Sequence, residues 1–268
     1  GLDIGTAKPS PEEQQGIPHH LLDFLPPETA YSVADFTAAA DPLIREISGR
    51  GRLPFVVGGT GLYITSLLNG MSFAPEKTDP AIRARLQAQA DAGDGAALYA
   101  RLQQIDPDYA ALVHPNSQPR VIRALELYES TGRRMSAERV NARAARPPYR
   151  SLCLCLTCRD RAVLYDRIGR RVDAMFENGV LDEARRVYEH REAYRTAAQA
   201  IGYKEFFPYF AGEQSLADCT EKLKQATRNY AKRQLTWFRR QNEAVWLYLD
   251  EEDVTARACA LVREFLQQ

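Results

Sequence analysis

The residues best suited to contact an anion lie in "PFVVGGTGLYITSLLNG", residues 54–70, where Gly58, Gly59 and Gly61 surround Thr60. A strand that runs through glycines into a helix N-terminus presents backbone N–H groups to a phosphate or carboxylate. The loop departs from both common nucleotide patterns. A P-loop needs G-x-x-x-x-G-K-[ST], with a Lys on the outer phosphates, and no Lys lies between Gly58 and Gly70. A dinucleotide G-x-G-x-x-G beginning at Gly59 would end at Ile64, which is not glycine. By itself the stretch is equally a tight turn in an α/β core.

Cations are the second chemical resource. In "SLADCTEKLKQATRNYAKRQLTWFRRQ", Lys224, Arg228 and Lys232 recur every four residues, Arg239 follows about two turns later, and Tyr230, Trp237 and Phe238 lie among them. Residues at that spacing share a helix face. Such a stripe can hold a phosphate backbone and stack bases; a solvated face with its aromatics in the core gives the same pattern. Arg167 and Arg171 sit one turn apart beside an apolar stripe of Leu164, Ile168, Val172 and Met175, placed to grip phosphate at its edge or to serve as surface ion-pair partners. Arg83, Arg85, Arg120 and Arg123 belong to a separate helical stretch. Arginines opposite a basic C-terminal helix would make a cleft with two positive walls, a shape for folded RNA. Cys153, Cys155 and Cys158 lack a second C-x-x-C or a His pair, so they read as small buried thiols and not as a zinc site.

The elements that must position these groups follow from pattern. "HHLLDFL" reads as a strand, Asp35 as the cap of the amphipathic helix "FTAAADPLIREISGRG", and "RLPFVVGG" as a second strand. Strand, helix and strand in that order imply a parallel α/β sheet. Strand signals vanish between Ser72 and Arg146. Asp79-Pro80 starts a helix with Pro in its first turn, and "GAALYARLQQID", "PDYAALVH" and "QPRVIRALELYESTG" continue an all-helical insertion. "SLCLCLTC" restores a strand buried on both faces, Asp160 caps "RAVLYDRIGRRVDAMFENG", and "AVWLYLD" is a last strand. The domain reading is therefore an α/β core of residues 1–71 and 147–268 around a helical domain of residues 72–146.

At 268 residues, 45% hydrophobic and 26% charged, the chain is long enough for one large domain or two modest ones. Its 35 basic and 35 acidic residues cancel, so any nucleic-acid affinity must come from placement. No apolar run approaches the roughly 20 residues of a membrane span, and five cysteines suit a reducing cytoplasm. The chain opens at "GLDIGTAKPS" with no initiator Met and no opening strand, as if its front were removed.

Seven segments in order, "GLDIGTAKPS", "PHHLLD", "YSVADF", "VVGGTGLY", "HPNSQPRVIRALELY", "QAIGYKEF" and "ATRNYAKRQLTWFR", resemble the bacterial tRNA dimethylallyltransferases (tRNA isopentenyltransferases) nearly end to end. The resemblance implies a P-loop NTPase-like parallel-sheet core with an inserted helical domain. It implies transfer of a dimethylallyl group from dimethylallyl diphosphate, with Mg²⁺, to N6 of adenine 37, a base flipped out of the tRNA anticodon stem-loop into a channel. It puts Gly58, Gly59 and Gly61 in the channel wall, Thr60 near the adenine and Arg171 on the diphosphate. Contact with tRNA falls to Arg83, Arg120 and Arg123, and to Gln199, Ala200, Ile201, Gly202, Tyr203 and Lys204; Pro119 and Val121 depart from the more polar residues of some relatives. The phosphate loop and the Asp that takes the N6 proton are expected in a segment before Gly1. A monomer without membrane attachment is expected. The alternatives are an enzyme that prenylates free adenine nucleotides, and a tRNA-binding fragment lacking part of its catalytic apparatus.

Overall fold

The computed structural model describes residues 1–71, 79–141, 147–241, 244–251 and 253–267. In chain order its elements are α1 (Val33–Gly49), α2 (Gly61–Leu68), α3 (Pro80–Gln89), α4 (Gly95–Ile105), α5 (Pro107–Ala110), α6 (Gln118–Thr131) and α7 (Met135–Asn141). These are followed by β1 (Cys153–Thr157), α8 (Arg161–Glu177), α9 (Val180–Glu189), α10 (Phe207–Phe210), α11 (Leu216–Phe238), β2 (Ala244–Tyr248) and α12 (Val254–Gln267). The chain divides into two compact units, Gly1–Thr65 with Arg150–Gln268, and Ser66–Tyr149.

The first unit is α/β. Strands β1 and β2 run parallel, from Cys153 opposite Ala244 to Thr157 opposite Tyr248. Local signals set its helix ends. Asp160 accepts from Ala162 N at 2.8 Å and starts α8, and Asp250 holds the N–H groups of Arg159 and Asp160 at 2.8 and 2.9 Å just ahead of it. Ser215 caps α11 by accepting from Asp218 N. One cap expectation shifts by a few residues. Ser32, not Asp35, is the N-cap of α1, and Asp35 reaches back to the Ser32 N–H at 2.8 Å, completing a capping box. The core packs α8, α9 and α11 around Tyr203 and Phe206, with Val172, Ala184, Val187 and Leu223.

Two expected strands are absent among the described residues. In "HHLLDFL" the backbone turns left-handed at Leu21 and Asp23, with φ of 60° and 50°, which breaks an extended run. Residues 52–57 carry no ladder hydrogen bonds, and Phe55 and Val57 are 68% and 92% exposed. A strand is defined by paired backbone, and Pro54 offers no donor. Strand β1 also differs from expectation: Leu156 is 59% exposed, so one face is only partly covered.

The second unit is helical. Asp79 caps α3, accepting from Ala81 N at 2.9 Å with Pro80 in the first turn. Gly132, at φ 72°, ends α6 in the left-handed conformation that glycine adopts without strain. Leu86, Leu98, Leu102, Val121, Ile122 and Leu125 form the core between α3, α4 and α6. The unit begins at Ser66 and ends at Tyr149, a few residues outside the span 72–146 read from composition, and residues 72–78 and 142–146 lie outside the described set.

Candidate functional site

The glycine turn is held from beneath by α11. Gln234 donates from Nε2 to the Gly59 carbonyl at 3.0 Å, and Trp237 donates from Nε1 to Thr65 Oγ1 at 3.0 Å. These two side chains are three residues apart and share a face of α11. A Cβ on Gly59 would stand 1.7 Å from Gln234 Nε2, and one on Gly61 would stand 2.3 Å from Trp237 Cδ1. The rigid indole of Trp237 therefore excludes a Cβ at Gly61, a Cβ at Gly59 would displace the flexible end of Gln234, and Gly58 is open and exposed. The sequence pattern does not single out Gln234, and it leaves Trp237 open between a stacking aromatic and a core side chain. The only local hint was the i, i+3 spacing within "QLTW".

Thr60 stands at the exposed tip of this turn. Its carbonyl accepts from Tyr63 N at 2.9 Å and Ile64 N at 3.2 Å, which opens α2. Among the described residues its hydroxyl has no partner, so both its donor and its acceptor capacity remain for a substrate.

Between α8 and α11 lies a cavity of about 290 Å³ lined by Arg161, Tyr165, Lys232, Thr236 and Arg239, with Leu164 and Leu235 as apolar walls. No carboxylate lines it. Arg161 is the first residue of α8, whose N-terminal N–H groups are already met by Asp160, with Asp250 just ahead of it. Three cations and two hydroxyls make an environment for an anion. Lys224, at the start of the basic stripe, is spent on Asp173 of α8 at 2.8 Å, and this pair with Glu221 holds its ammonium pKa above the ordinary value. Arg171 is exposed on α8, outside the cavity, and has no ion-pair partner among the described residues.

In the helical unit the predicted arginines behave differently from one another. Arg83 and Arg123 both donate to Glu126 Oε2, at 3.1 and 2.9 Å, and Glu126 is 3% exposed while the arginines are 54% and 37% exposed. Arg85 and Arg101 share Glu129 in the same way. Arg120 is exposed and unpaired among the described residues.

The segment 199–204 is divided between surface and core. Gln199 and Lys204 are exposed, Ala200 and Ile201 pack against the core, and Gly202 and Tyr203 are buried. Tyr203 offers no surface for a ligand; its hydroxyl donates to Glu183 Oε1 at 2.8 Å. Cys153 and Cys155 approach to 4.0 Å between sulfurs, and burial with this neighbour pushes the Cys155 thiol up to about 12. Among the described residues no three His, Cys, Asp or Glu side chains converge to bind a metal.

The sequence matches the IPP transferase family over residues 1–241. The chain belongs to this family. It is 44% identical to the tRNA dimethylallyltransferase of Halalkalibacterium halodurans over 94% of this chain and 80% of the relative. The Bacillus subtilis tRNA dimethylallyltransferase is also 44% identical, over 92% and 78% of the two chains. Among solved structures, the full-length tRNA isopentenylpyrophosphate transferase of Bacillus halodurans matches with a TM-score of 0.69 at 41% identity, over 99% of this chain and 84% of the other. A eukaryotic dimethylallyltransferase captured acting on tRNA matches with a TM-score of 0.80 at 29% identity, over the whole of this chain and 70% of its own. Among IPP transferases these likenesses run along nearly all of this chain.

Proposed function

We propose that this chain transfers a dimethylallyl group from dimethylallyl diphosphate to N6 of adenine 37 in tRNA. N6 forms a bond to the allylic carbon, the carbon–oxygen bond to diphosphate breaks, and N6 loses a proton. The observation that carries this reading is the 44% identity to tRNA dimethylallyltransferases across 94% of the chain.

The exocyclic amine is a weak nucleophile because its lone pair is delocalised into the ring. The protein must therefore align the reactants, stabilise the departing diphosphate and accept a proton. The free Thr60 hydroxyl suits hydrogen bonding to N6, with Gly58, Gly59 and Gly61 as wall. Arg171, unpaired on α8, suits the charge that builds on the leaving group. The cation-lined cavity by α11 suits a phosphate of the RNA backbone. In the helical unit Arg120, Arg83 and Arg123 face the tRNA, joined by Gln199 and Lys204 of the first unit.

A P-loop-type core and Mg²⁺ belong to the same reading. Mg²⁺ commonly keeps several waters and binds through substrate phosphates with one or two carboxylates. Among the described residues no group of three His, Cys, Asp or Glu side chains could hold it, so in this reading the substrate diphosphate would supply most of its ligands. In this reading the enzyme is a cytoplasmic monomer that acts on the anticodon stem-loop. No helix among the described residues is long and apolar enough to cross a membrane.

The test is prenyl transfer by the full-length gene product from labelled dimethylallyl diphosphate to a synthetic anticodon stem-loop, with adenosine monophosphate in parallel. Product on the stem-loop alone is expected. Product on the mononucleotide alone overturns the tRNA assignment, and stem-loop binding without transfer reduces the chain to an RNA-binding role.

A further inference from the structure

Glu183 on α9 is 3% exposed, has no arginine or lysine partner among the described residues, and every hydrogen bond it makes is to a neutral donor. Its Oε2 accepts from Asp3 N at 2.6 Å and Ile4 N at 3.1 Å. Its Oε1 accepts from Ile4 N at 3.0 Å, Gly5 N at 2.8 Å and the Tyr203 hydroxyl at 2.8 Å. Three successive backbone N–H groups thus wrap one carboxylate, the arrangement by which a backbone nest binds an anion, and the occupant is the protein's own side chain. Burial favours the neutral acid, but the N–H groups of Asp3 and Gly5, the Tyr203 hydroxyl and the Ile4 N–H outweigh it and leave the carboxyl below its ordinary pKa.

The contact joins two segments that are about 200 positions apart. A Cβ on Gly5 would stand 2.5 Å from Tyr203 Cε1, and one on Gly202, at φ 110°, would stand 3.1 Å from the Gly5 carbonyl. Only glycines allow the loop 3–5 and the segment 202–203 to lie this close, and Glu183 ties both to α9. Lys8 fixes the far end of the loop by pairing with Asp3 and Asp23. A buried carboxylate is a costly way to gain stability, since an apolar side chain of similar size packs without desolvation. What it provides is one orientation for the backbone around it.

We propose that Glu183 is a positioning residue for RNA recognition, holding the exposed Lys204 in register through Tyr203, Gly202 and the loop 3–5. Lys204 adjoins Tyr203 in the chain, and Glu205 accepts from the Gly202 N–H at 3.0 Å, so a shift of the buried Glu183–Tyr203 pair is passed directly to Lys204. The inference rests on the tRNA reading above.

The test uses full-length protein and a fluorescent anticodon stem-loop, with binding measured across a salt series well below the melting temperature. Glu183→Gln places an NH₂ against backbone donors, and Tyr203→Phe removes one hydroxyl while keeping the ring. Glu183→Gln should weaken binding about tenfold and Tyr203→Phe about threefold, both with the salt slope of the wild type, because no phosphate contact is lost. Lys204→Ala, in contrast, should lower that slope by about 0.7 to 0.9. Amide exchange at residues 3–5 should accelerate in Glu183→Gln. Wild-type affinity in both variants, whatever their melting temperatures, overturns the inference and leaves the tRNA reading standing. If Glu183→Gln does not fold, Tyr203→Phe decides alone. A wild-type protein that ignores the stem-loop overturns the tRNA reading, and this inference with it.

Discussion

Trp237 donates its indole N–H to Thr65 Oγ1 at 3.0 Å, with its ring over Gly61, so the turn that carries Thr60 is built on the last turns of α11. A residue that looks like a base-stacking aromatic in the sequence instead sets the height of the glycine loop. The same helix supplies Gln234 to the Gly59 carbonyl.

Substitution at this contact should therefore uncouple the turn from the helix. Gly61→Ala brings a methyl into the indole and should cost about 1–3 kcal/mol of stability by overpacking. Trp237→Phe removes one hydrogen bond and should cost about 1 kcal/mol from that alone. Both should slow prenyl transfer, because Thr60 rides on the turn. Urea denaturation alongside single-turnover transfer checks this, and an unchanged rate in Gly61→Ala would detach the turn from the chemistry.

The arginines of the helical unit should separate into two classes. Arg120 is unpaired among the described residues, so Arg120→Ala should weaken RNA binding and lower the salt slope by about 0.7 to 0.9, with no loss of stability. Arg83 shares buried Glu126 with Arg123, so Arg83→Ala should also lower stability, by about 1 kcal/mol once its half-exposed position is allowed for. Thermal melts with binding at several salt concentrations distinguish the two.

Arg171→Ala should reduce kcat by about two orders of magnitude, the effect typical of losing one charged donor to a developing anion. Its tRNA affinity should be close to that of the wild type. Equal turnover in mutant and wild type would remove Arg171 from the reaction.

Much of the fold was legible because its signals are local. Asp79-Pro80, Asp160 and Gly132 each mark a helix end within a few residues, and each serves that role. The strand expected in "RLPFVVGG" does not form, because pairing depends on distant backbone that composition does not reveal. The site shows the same limit. The exposed Arg120 and Arg171 could be picked out by type and spacing. Glu126 meets Arg83 across 43 positions and Glu183 meets Asp3 across 180, and neither acid carries a local mark of its burial. Tyr203, grouped by sequence with the tRNA contacts, is fully buried, since its neighbours Gly5 and Gly202 lack the side chains that would keep it out.

Acid should release the Glu183 anchor in a defined direction. Its folded pKa lies below the ordinary 4.5, so as pH falls the unfolded chain takes up the proton first. The stabilisation is complete above pH 4.5 and is lost as pH falls through the folded value. Glu183→Gln should remove this component, giving a flatter stability profile below pH 4.5 than the wild type. Parallel acid titrations of unfolding free energy provide the comparison.

The central claim is most directly tested by incubating the full-length protein with labelled dimethylallyl diphosphate and an anticodon stem-loop that carries adenine at position 37. Label should appear on N6 of that adenine and vanish when guanine replaces it. Label on free adenine nucleotide with none on the stem-loop, or none on either, would contradict the account.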